Sequence, residues 1–143
     1  MTDEKIKHLE FIQNVITRMN TNSFQIKEWT VAITSALLAV YAATNNNYFI
    51  LVSVFPIIIF WFLDSYYLTQ ERKFRALYND VAGISENPKQ LKPFEMRPDL
   101  YTEGKCRYRC VLISTTIIKL YLALIIVVVG LFVYLQFFAS KGD

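Results

Sequence analysis

Charged side chains are scarce in this sequence and are missing altogether from two long stretches. Asp, Glu, Lys and Arg make up 19% of the 143 residues, and residues 29–63 and 120–140 contain none of them and no histidine. Hydrophobic residues make up 54% of the chain, and the mean hydropathy is +0.29. This composition excludes a disordered segment, a collagen-like fibre and a disulfide-rich secreted scaffold, and it argues against a free cytosolic enzyme. The chain is predicted to lie in a membrane.

Residues that commonly carry catalysis are also few. His8 is the single histidine, and the chain has no glycine-rich phosphate loop, nucleophile elbow or paired-histidine metal motif. The common hydrolytic and nucleotide-binding templates are therefore missing. The sequence predicts a protein that is not an enzyme and that uses no cofactor or metal.

The two cysteines, Cys106 and Cys110, are spaced i, i+4, which would place both thiols on one helix face. Positively charged neighbours would lower the pKa values of these thiols. These neighbours are Lys105, Arg107 and Arg109. Reduced bystander thiols are the default interpretation, and a redox or metal role is the alternative.

The uncharged stretches predict three membrane-spanning helices. A helix needs roughly 20 apolar residues to cross a hydrocarbon core of about 30 Å. Residues 29–63 are too many for one crossing, and Asn45–Asn47 interrupts them with polar turn formers that are costly in lipid. We predict a hairpin of two spans, residues 29–44 and 48–67, followed by a third span over residues 112–138. The predicted fold class is an all-α integral membrane protein with three transmembrane helices.

The basic residues predict how the chain is oriented, because short loops rich in Lys and Arg stay in the cytoplasm. All 15 basic residues except Lys119 and Lys141 precede the first predicted span or lie between the second and the third. The N-terminus and residues 68–111 are therefore predicted to be cytoplasmic and the C-terminus periplasmic, in a multi-pass protein of the bacterial inner membrane. Aromatic belts at both interfaces fit these depths. The predicted inner belt is Trp29, Trp61, Tyr66, Tyr67 and Tyr121, and the outer belt is Tyr41, Tyr48, Tyr134 and Phe138.

The predicted cytoplasmic segment before the first span, residues 1–28, begins with an amphipathic helix. Its apolar residues recur at helical spacing, and polar residues lie mostly opposite. The apolar stripe comprises Leu9, Ile12, Ile16 and Met19. We predict that it packs on other cytoplasmic helices, with a membrane-surface helix or an oligomer seam as alternatives. The helix is predicted to end near Asn20–Ser23, whose short polar side chains compete for backbone hydrogen bonds.

The segment between the second and third spans is predicted to combine a helix with a proline-rich loop. Four apolar residues at spacing i, i+3, i+4 and i+7 extend the second span as a helix. They are Phe74, Leu77, Tyr78 and Val81. Gly83 is the predicted stop, residues 84–98 with three prolines preclude regular helix, and Asp99 is predicted to cap a helix that leads to the third span. These pieces are too short for a separate catalytic domain, so residues 1–143 are predicted to form a single membrane domain.

Two ionisable residues lie close to membrane depth, where such groups are functional candidates. Asp64 lies near the exit of the second span and Lys119 near the start of the third, and the two are predicted to form an interhelical ion pair. A gate, or a proton or ion relay, is the alternative. Small residues on the first span favour close helix packing, either within the hairpin or between copies. They include Ser35, Ala39 and Ala43.

Basic residues cluster beside the predicted membrane surface. They are Arg72, Lys73, Arg75, Lys105, Arg107 and Arg109. Contact with anionic lipid headgroups, worth about 1 kcal/mol per charge near the surface, accounts for such a cluster. A cytoplasmic anionic ligand such as a nucleotide is the alternative, whereas a net charge of +3 argues against nucleic acid.

Several strings of this sequence carry a resemblance to known membrane proteins. They are Leu9–Gln13, Arg18–Asn20, Asn22–Phe24, Phe62–Leu68, Glu71–Arg72 and Phe74–Arg75. With the hairpin between them, they resemble a group of small bacterial inner-membrane proteins. The order of cytoplasmic helix, hairpin and cytoplasmic helix over residues 6–82 is also similar to the SLATT-type effectors. That resemblance implies pore formation in antiphage systems, alongside nucleotide-signalling partners. A third span and the proline-rich loop depart from that pattern.

The leading hypothesis from these patterns is a non-enzymatic membrane effector that oligomerises and perturbs or permeabilises the bacterial inner membrane. Its expected partners are membrane lipids and further copies of the chain, together with a cytoplasmic protein or nucleotide-signal partner. The alternative is a structural or regulatory subunit. It would anchor a cytoplasmic partner through the face that carries Phe74, Leu77, Tyr78 and Val81.

Overall fold

The computed structural model describes residues 2–137, and in this range the chain is helical without strands. Helix α1 covers Asp3–Thr44, α2 covers Tyr48–Ala82, α3 covers Tyr108–Leu112 and α4 covers Thr115–Phe137. Two short 3-10 turns, Pro98–Leu100 and Gly104–Cys106, lie between α2 and α3. Helices α1, α2 and α4 are each long and apolar enough to span a membrane. The all-helical fold and three candidate spans agree with the prediction.

The predicted turn between the first two spans is confirmed at Asn45–Asn47. Asn45 adopts a left-handed backbone with φ 51°, a conformation that Asn tolerates better than most residues. The Asn46 Oδ1 atom accepts a hydrogen bond of 3.1 Å from the Tyr48 backbone N–H, which would otherwise be unsatisfied at the start of α2. The asparagine run therefore ends one helix and caps the next.

The predicted end of α2 at Gly83 is also confirmed. Gly83 has φ +82°, which glycine adopts without a Cβ clash, and the Gly83 and Ile84 N–H groups both donate to the Asn79 carbonyl. The following residues 84–97 form no regular helix, as the prolines predict. Pro56 lies inside α2, which continues through it.

Two predicted helix boundaries are wrong. Helix α1 continues through Asn20–Ser23, and Ser23 is buried. A short polar side chain in a helix interior can bond to the carbonyl one turn back without ending the helix, as Thr17 does with Gln13. Asp99 caps no helix into the third span. It lies within the turn Pro98–Leu100 and binds Arg97 instead. The third span predicted for 112–138 begins at Thr115, and its last predicted residue lies outside the described range.

Contacts divide the chain into two compact units. Within the described residues, unit 1 comprises 2–24 and 65–111, and unit 2 comprises 25–64 and 112–137. The core of unit 1 is Ile12, Ile16, Leu77 and Tyr101. Two members of the predicted N-terminal stripe thus pack on the α2 extension, as expected for an amphipathic helix on its neighbours. The buried apolar residues of unit 2 are Ile26, Ile50, Ile57, Ile117, Tyr121 and Val128.

Candidate functional site

Unit 2 buries a carboxylate among its candidate spans. Asp64, on α2, is fully buried, and the Lys27 ammonium group on α1 lies 2.8 Å from its Oδ1 and 2.7 Å from its Oδ2. Lys27 itself keeps 23% of its side chain exposed. The ammonium group therefore neutralises the charge of the buried acid.

A tyrosine on the third candidate span binds the same carboxylate. The Tyr121 hydroxyl on α4 donates to Asp64 Oδ2 over 3.1 Å, and the phenol also interacts with the Thr30 hydroxyl. Thr30 is fully buried and donates to the Ile26 carbonyl at 2.7 Å. We call Lys27, Thr30, Asp64 and Tyr121 the polar cluster. It joins α1, α2 and α4 through charged and hydroxyl groups.

Aromatic packing supports the polar cluster from α2. The Trp61 ring stacks on Tyr121 with centroids 6.1 Å apart and an interplanar angle of 6°. The Trp61 indole N–H also donates to the Leu112 carbonyl at 3.1 Å. Tyr121 was predicted to lie in the inner aromatic belt, but it is fully buried because its hydroxyl serves the Asp64 carboxylate. Trp29, Tyr48 and Tyr134 are exposed, as belt residues would be, and Phe138 lies outside the described residues.

Further hydroxyl groups face the interior of unit 2. Ser53 is fully buried and donates to the Ile50 carbonyl at 2.7 Å. The buried hydroxyl oxygens of Thr34 and Ser114 have no hydrogen-bond partner among residues 2–137. Leaving a buried hydroxyl unpaired costs about 1–3 kcal/mol, so these two positions are unusual for a packed interior.

The polar cluster gives Asp64 a different cation from the one predicted. Lys119 is exposed on α4, whereas Lys27 contacts both carboxylate oxygens. The pairing follows from hairpin geometry: Lys27 and Asp64 are nearly equidistant in sequence from the Asn45–Asn47 turn, so an antiparallel hairpin brings them side by side. This symmetry was present in the sequence and identifies Lys27. No pattern in the sequence identified Tyr121 as a second partner of Asp64.

The predicted small-residue face is exposed in unit 2. Ser35, Ala39 and Ala43 all lie on the exposed side of α1, opposite the buried residues Ile26, Thr30 and Thr34. The contacts of α1 within unit 2 therefore use its other side. The small-residue face remains uncovered by the described chain.

The predicted partner face is used inside unit 1. Leu77 is fully buried, and Phe74, Tyr78 and Val81 pack against its cluster with Ile12 and Ile16. Leu77 is therefore a core residue of unit 1 that packs with the N-terminal apolar stripe, whereas Phe74, Tyr78 and Val81 stay partly exposed.

The predicted basic cluster is partly engaged in unit 1. Arg72 donates to the Lys105 carbonyl at 3.0 Å, which brings the two halves of the cluster together. Arg75 binds Glu71, with its Nε atom 2.8 Å from Oε1. Lys105, Arg107 and Arg109 are exposed, and Lys73 is half-buried. The cluster thus remains a cationic surface, with Arg75 partly neutralised.

The cysteines do not share a helix face as predicted. Cys106 ends the turn Gly104–Cys106, Arg107 is extended, and Cys110 belongs to α3. Both thiols are free. Burial raises the pKa of the Cys106 thiol despite the nearby charges of Arg72 and Lys73, so the predicted lowering is wrong for this residue. Among residues 2–137, no group of three or more His, Cys, Asp or Glu side chains is arranged to hold a metal ion.

Unit 1 contains a second polar site, centred on Asp80, that the sequence analysis missed. Tyr101 donates to Asp80 Oδ2 at 2.5 Å, and the Lys89 backbone N–H donates to the same oxygen at 3.0 Å. Partial burial raises the pKa of Asp80, but hydrogen bonds from Ser85, Tyr101 and Lys89 outweigh it and lower the pKa overall. Burial and the adjacent carboxylate raise the pKa of Tyr101. Through Lys89, Asp80 holds the proline-rich loop against the end of α2, and through Tyr101 it holds the residue that follows the Pro98–Leu100 turn.

Comparison with known proteins identifies no relative of this chain, since no family model, curated protein or solved structure matches it.

Proposed function

We propose that the protein is a non-enzymatic effector of the bacterial inner membrane that self-associates within the bilayer and perturbs or permeabilises it. The observation that carries this proposal is the exposed face of Ser35, Ala39 and Ala43 on a candidate span. Small residues spaced four apart let two helix backbones approach closely in lipid. The described chain leaves this face uncovered, so a second copy of the chain is the proposed occupant.

Charge burial supports an intramembrane setting for unit 2. An isolated ionised carboxylate is very costly in an apolar environment, and the Lys27 ammonium and Tyr121 hydroxyl offset that cost for Asp64. Apolar residues on the outside of α2 and α4 are widely exposed, including Phe55, Ile59 and Val127. Such a surface suits contact with lipid tails or with neighbouring copies.

A permeation path would be lined by exposed polar groups that come together when copies of the chain associate. Thr30, Thr34 and Ser53 face the interior of one chain, so they do not line a channel between copies unless unit 2 opens. Ser35 is the exposed hydroxyl within the small-residue face. We therefore place Ser35 at the proposed seam, where its hydroxyl can bond across helices.

Orientation and biological role belong to the same proposal. The basic residues of 2–27 and 72–109 favour a cytoplasmic location for unit 1 and a periplasmic C-terminus. The layout that resembles SLATT-type effectors adds a role in antiphage defence, triggered by a cytoplasmic protein or nucleotide signal. Alkaline phosphatase fused after Phe137 should be active and a fusion after Val111 inactive. The reverse pattern would overturn this orientation.

The central test is the oligomeric mass in mild detergent, measured by light scattering with the detergent contribution subtracted. We expect a discrete assembly larger than a dimer for the wild-type chain. Ala39→Leu should dissociate it, because a large side chain separates the helix backbones. Val40→Leu, at an exposed residue that is already large, is the matched control. A wild-type monomer, or an assembly unchanged by Ala39→Leu, would overturn the proposed seam.

Membrane perturbation is tested separately from association. Reconstituted wild-type protein should release a small dye from vesicles of bacterial lipids, and Ala39→Leu should release less at equal protein content. Stable oligomers that never release dye or depolarise cells would overturn the effector role while leaving the seam intact.

A further inference from the structure

Unit 1 contains a cavity at the start of α1 that no part of the proposed function uses. Its volume is about 300 Å³, and its walls come from the first turns of α1, the end of α2 and the proline-rich loop. The charged and imidazole side chains that line it are Glu4, Lys5, His8, Asp80, Lys89 and Lys92. Cationic groups outnumber carboxylates in this wall.

Some of these charged side chains already have partners within unit 1, and others do not. Asp80 already accepts hydrogen bonds from Tyr101 and from the Lys89 backbone. The Lys89 ammonium donates to the Leu100 carbonyl and lies 4.4 Å from the Tyr101 ring centroid. In contrast, the ammonium groups of Lys5 and Lys92 have no ion-pair or hydrogen-bond partner among residues 2–137. Within the described range, the cavity therefore offers two unpaired cations against the single unpaired carboxylate of Glu4.

Two further features favour an anion in this cavity. The N-terminal turn of α1 carries backbone N–H groups without intrahelical partners and the positive end of the helix dipole. Independently, His8 lines the cavity with only 4% of its surface exposed, and its Nε2 atom has no hydrogen-bond partner among the described residues. A buried imidazole nitrogen without a hydrogen-bond partner is uncommon in a packed interior.

A second, apolar cavity adjoins His8. It measures about 210 Å³ and is lined by His8, Phe11, Val15, Phe94 and Met96. The Phe94 ring lies 5.8 Å from the His8 ring and 6.1 Å from the Phe11 ring, between centroids. Phe94 holds a left-handed backbone with φ 62°, a strained conformation for a bulky residue. Its neighbour Pro93 lines the charged cavity, so two successive loop residues line the two cavities.

We propose that unit 1 binds a small anion with an apolar, preferably aromatic, body. Its acidic head, a phosphate or carboxylate, occupies the charged cavity between Lys5 and Lys92, and its body occupies the apolar cavity beside Phe94. His8 lines both cavities, so its imidazole is next to the acidic head and to the apolar body of the bound anion. Binding of this anion requires neither oligomerisation nor membrane perturbation.

The single histidine makes the test direct. In full-length protein labelled with ¹⁵N-histidine, the His8 imidazole supplies the only side-chain signals of that type. Phenyl phosphate is the probe with both parts, inorganic phosphate is the head alone, and phenol is the body alone. We expect a saturable shift of the His8 signals with phenyl phosphate at about millimolar concentration or below, and weaker binding of the other two compounds.

Variants locate the binding site. The double substitution Lys5→Met and Lys92→Met should weaken phenyl phosphate binding roughly tenfold or more, since each charge-assisted contact is lost. Lys7→Met, at an exposed lysine of the same helix outside the cavity, should leave binding unchanged. Phe94→Ala should weaken phenyl phosphate binding but not that of inorganic phosphate.

Three results would overturn the proposal. The first is a His8 signal that phenyl phosphate leaves in place or shifts without saturation. The second is equal binding by the wild-type chain and the double lysine variant, with circular dichroism showing both to be folded. The third is equal affinity for inorganic phosphate and phenyl phosphate, which would remove the apolar cavity from the site.

Discussion

Lys27 and Asp64 form an ion pair across the hairpin, with Lys27 Nζ 2.7 Å from Asp64 Oδ2 and the carboxylate fully buried. Lys27 and Asp64 are nearly equally far in sequence from the turn that connects α1 and α2. A buried carboxylate in this position depends on its cation, because bulk water does not reach it and Coulomb attraction is strong in the interior. A change in the register of the hairpin would separate these two charges, so the ion pair stabilises the observed register.

Removal of the Lys27 charge should destabilise unit 2. We expect Lys27→Met to lower the free energy of unfolding in detergent by about 3–5 kcal/mol, since it leaves Asp64 charged and buried without its cation. Addition of Asp64→Asn should recover most of the loss. Lys119→Met, at an exposed lysine, is the control and should have an effect within about 0.5 kcal/mol. An equal loss in the single and double variants would contradict charge pairing.

The Tyr121 hydroxyl should contribute through its hydrogen bond to Asp64. Tyr121→Phe keeps the ring that stacks on Trp61 and removes only the donor. We expect a loss of about 1–3 kcal/mol in unfolding free energy, because the bond is to a charged group. Thermal unfolding in detergent measures it, with the exposed Tyr48→Phe as the control. Indistinguishable stabilities of the two variants would show that the hydroxyl contributes nothing.

Leu77 should behave as a core residue rather than an interaction residue. Leu77→Ala should destabilise unit 1 by about 2–5 kcal/mol, because it opens a cavity against Ile12 and Ile16. Ile84→Ala, at a residue that is 70% exposed, is the control. Hydrogen exchange of peptides from unit 1 is the measurement. Faster exchange with Ile84→Ala than with Leu77→Ala would contradict the packing described above.

The Asp80–Tyr101 pair should make unit 1 sensitive to pH at both extremes. The lowered pKa of Asp80 means that its contribution is present above the ordinary value of 3.8 and is lost as pH falls through the folded-state pKa. The raised pKa of Tyr101 means that its contribution is present below the ordinary value of 10.0 and is lost as pH rises beyond it.

Two variants test this pH dependence by thermal unfolding of the full chain in a non-ionic detergent. Asp80→Asn should flatten the acid limb, and Tyr101→Phe should flatten the alkaline limb. Glu86→Gln, at an exposed carboxylate of the same loop, should keep the wild-type profile. A profile that stays unchanged in both variants would show that other groups govern the pH dependence.

The two thiols should differ in reactivity. The half-buried Cys106 has a raised pKa, whereas Cys110 is exposed. Because the thiolate is the reactive form, iodoacetamide should modify Cys110 faster than Cys106 near neutral pH. Mass spectrometry of Cys106→Ser and Cys110→Ser, each with one thiol left, measures the two rates. Faster modification of Cys106 would contradict its burial.

Local features of the sequence determined much of this architecture. Hydropathy alone locates three candidate spans, because a helix in lipid must be apolar over most of its length. The Asn45–Asn47 turn and the stop at Gly83 were also predictable, because each depends on a left-handed backbone conformation that asparagine or glycine itself adopts readily. The helical spacing of Ile12 and Ile16 likewise identifies a face that must be covered.

Tertiary structure decided which groups meet. Lys27 rather than Lys119 binds Asp64. Tyr121, which was predicted to lie in the aromatic belt, is buried and donates a hydrogen bond to the same carboxylate. The same dependence explains Cys106, whose pKa follows burial more than the charges beside it in sequence. It also explains why the face with Leu77 is covered while the face with Ser35 is exposed. Periodicity shows that a face is apolar or small, but only the packed helices decide what lies against it.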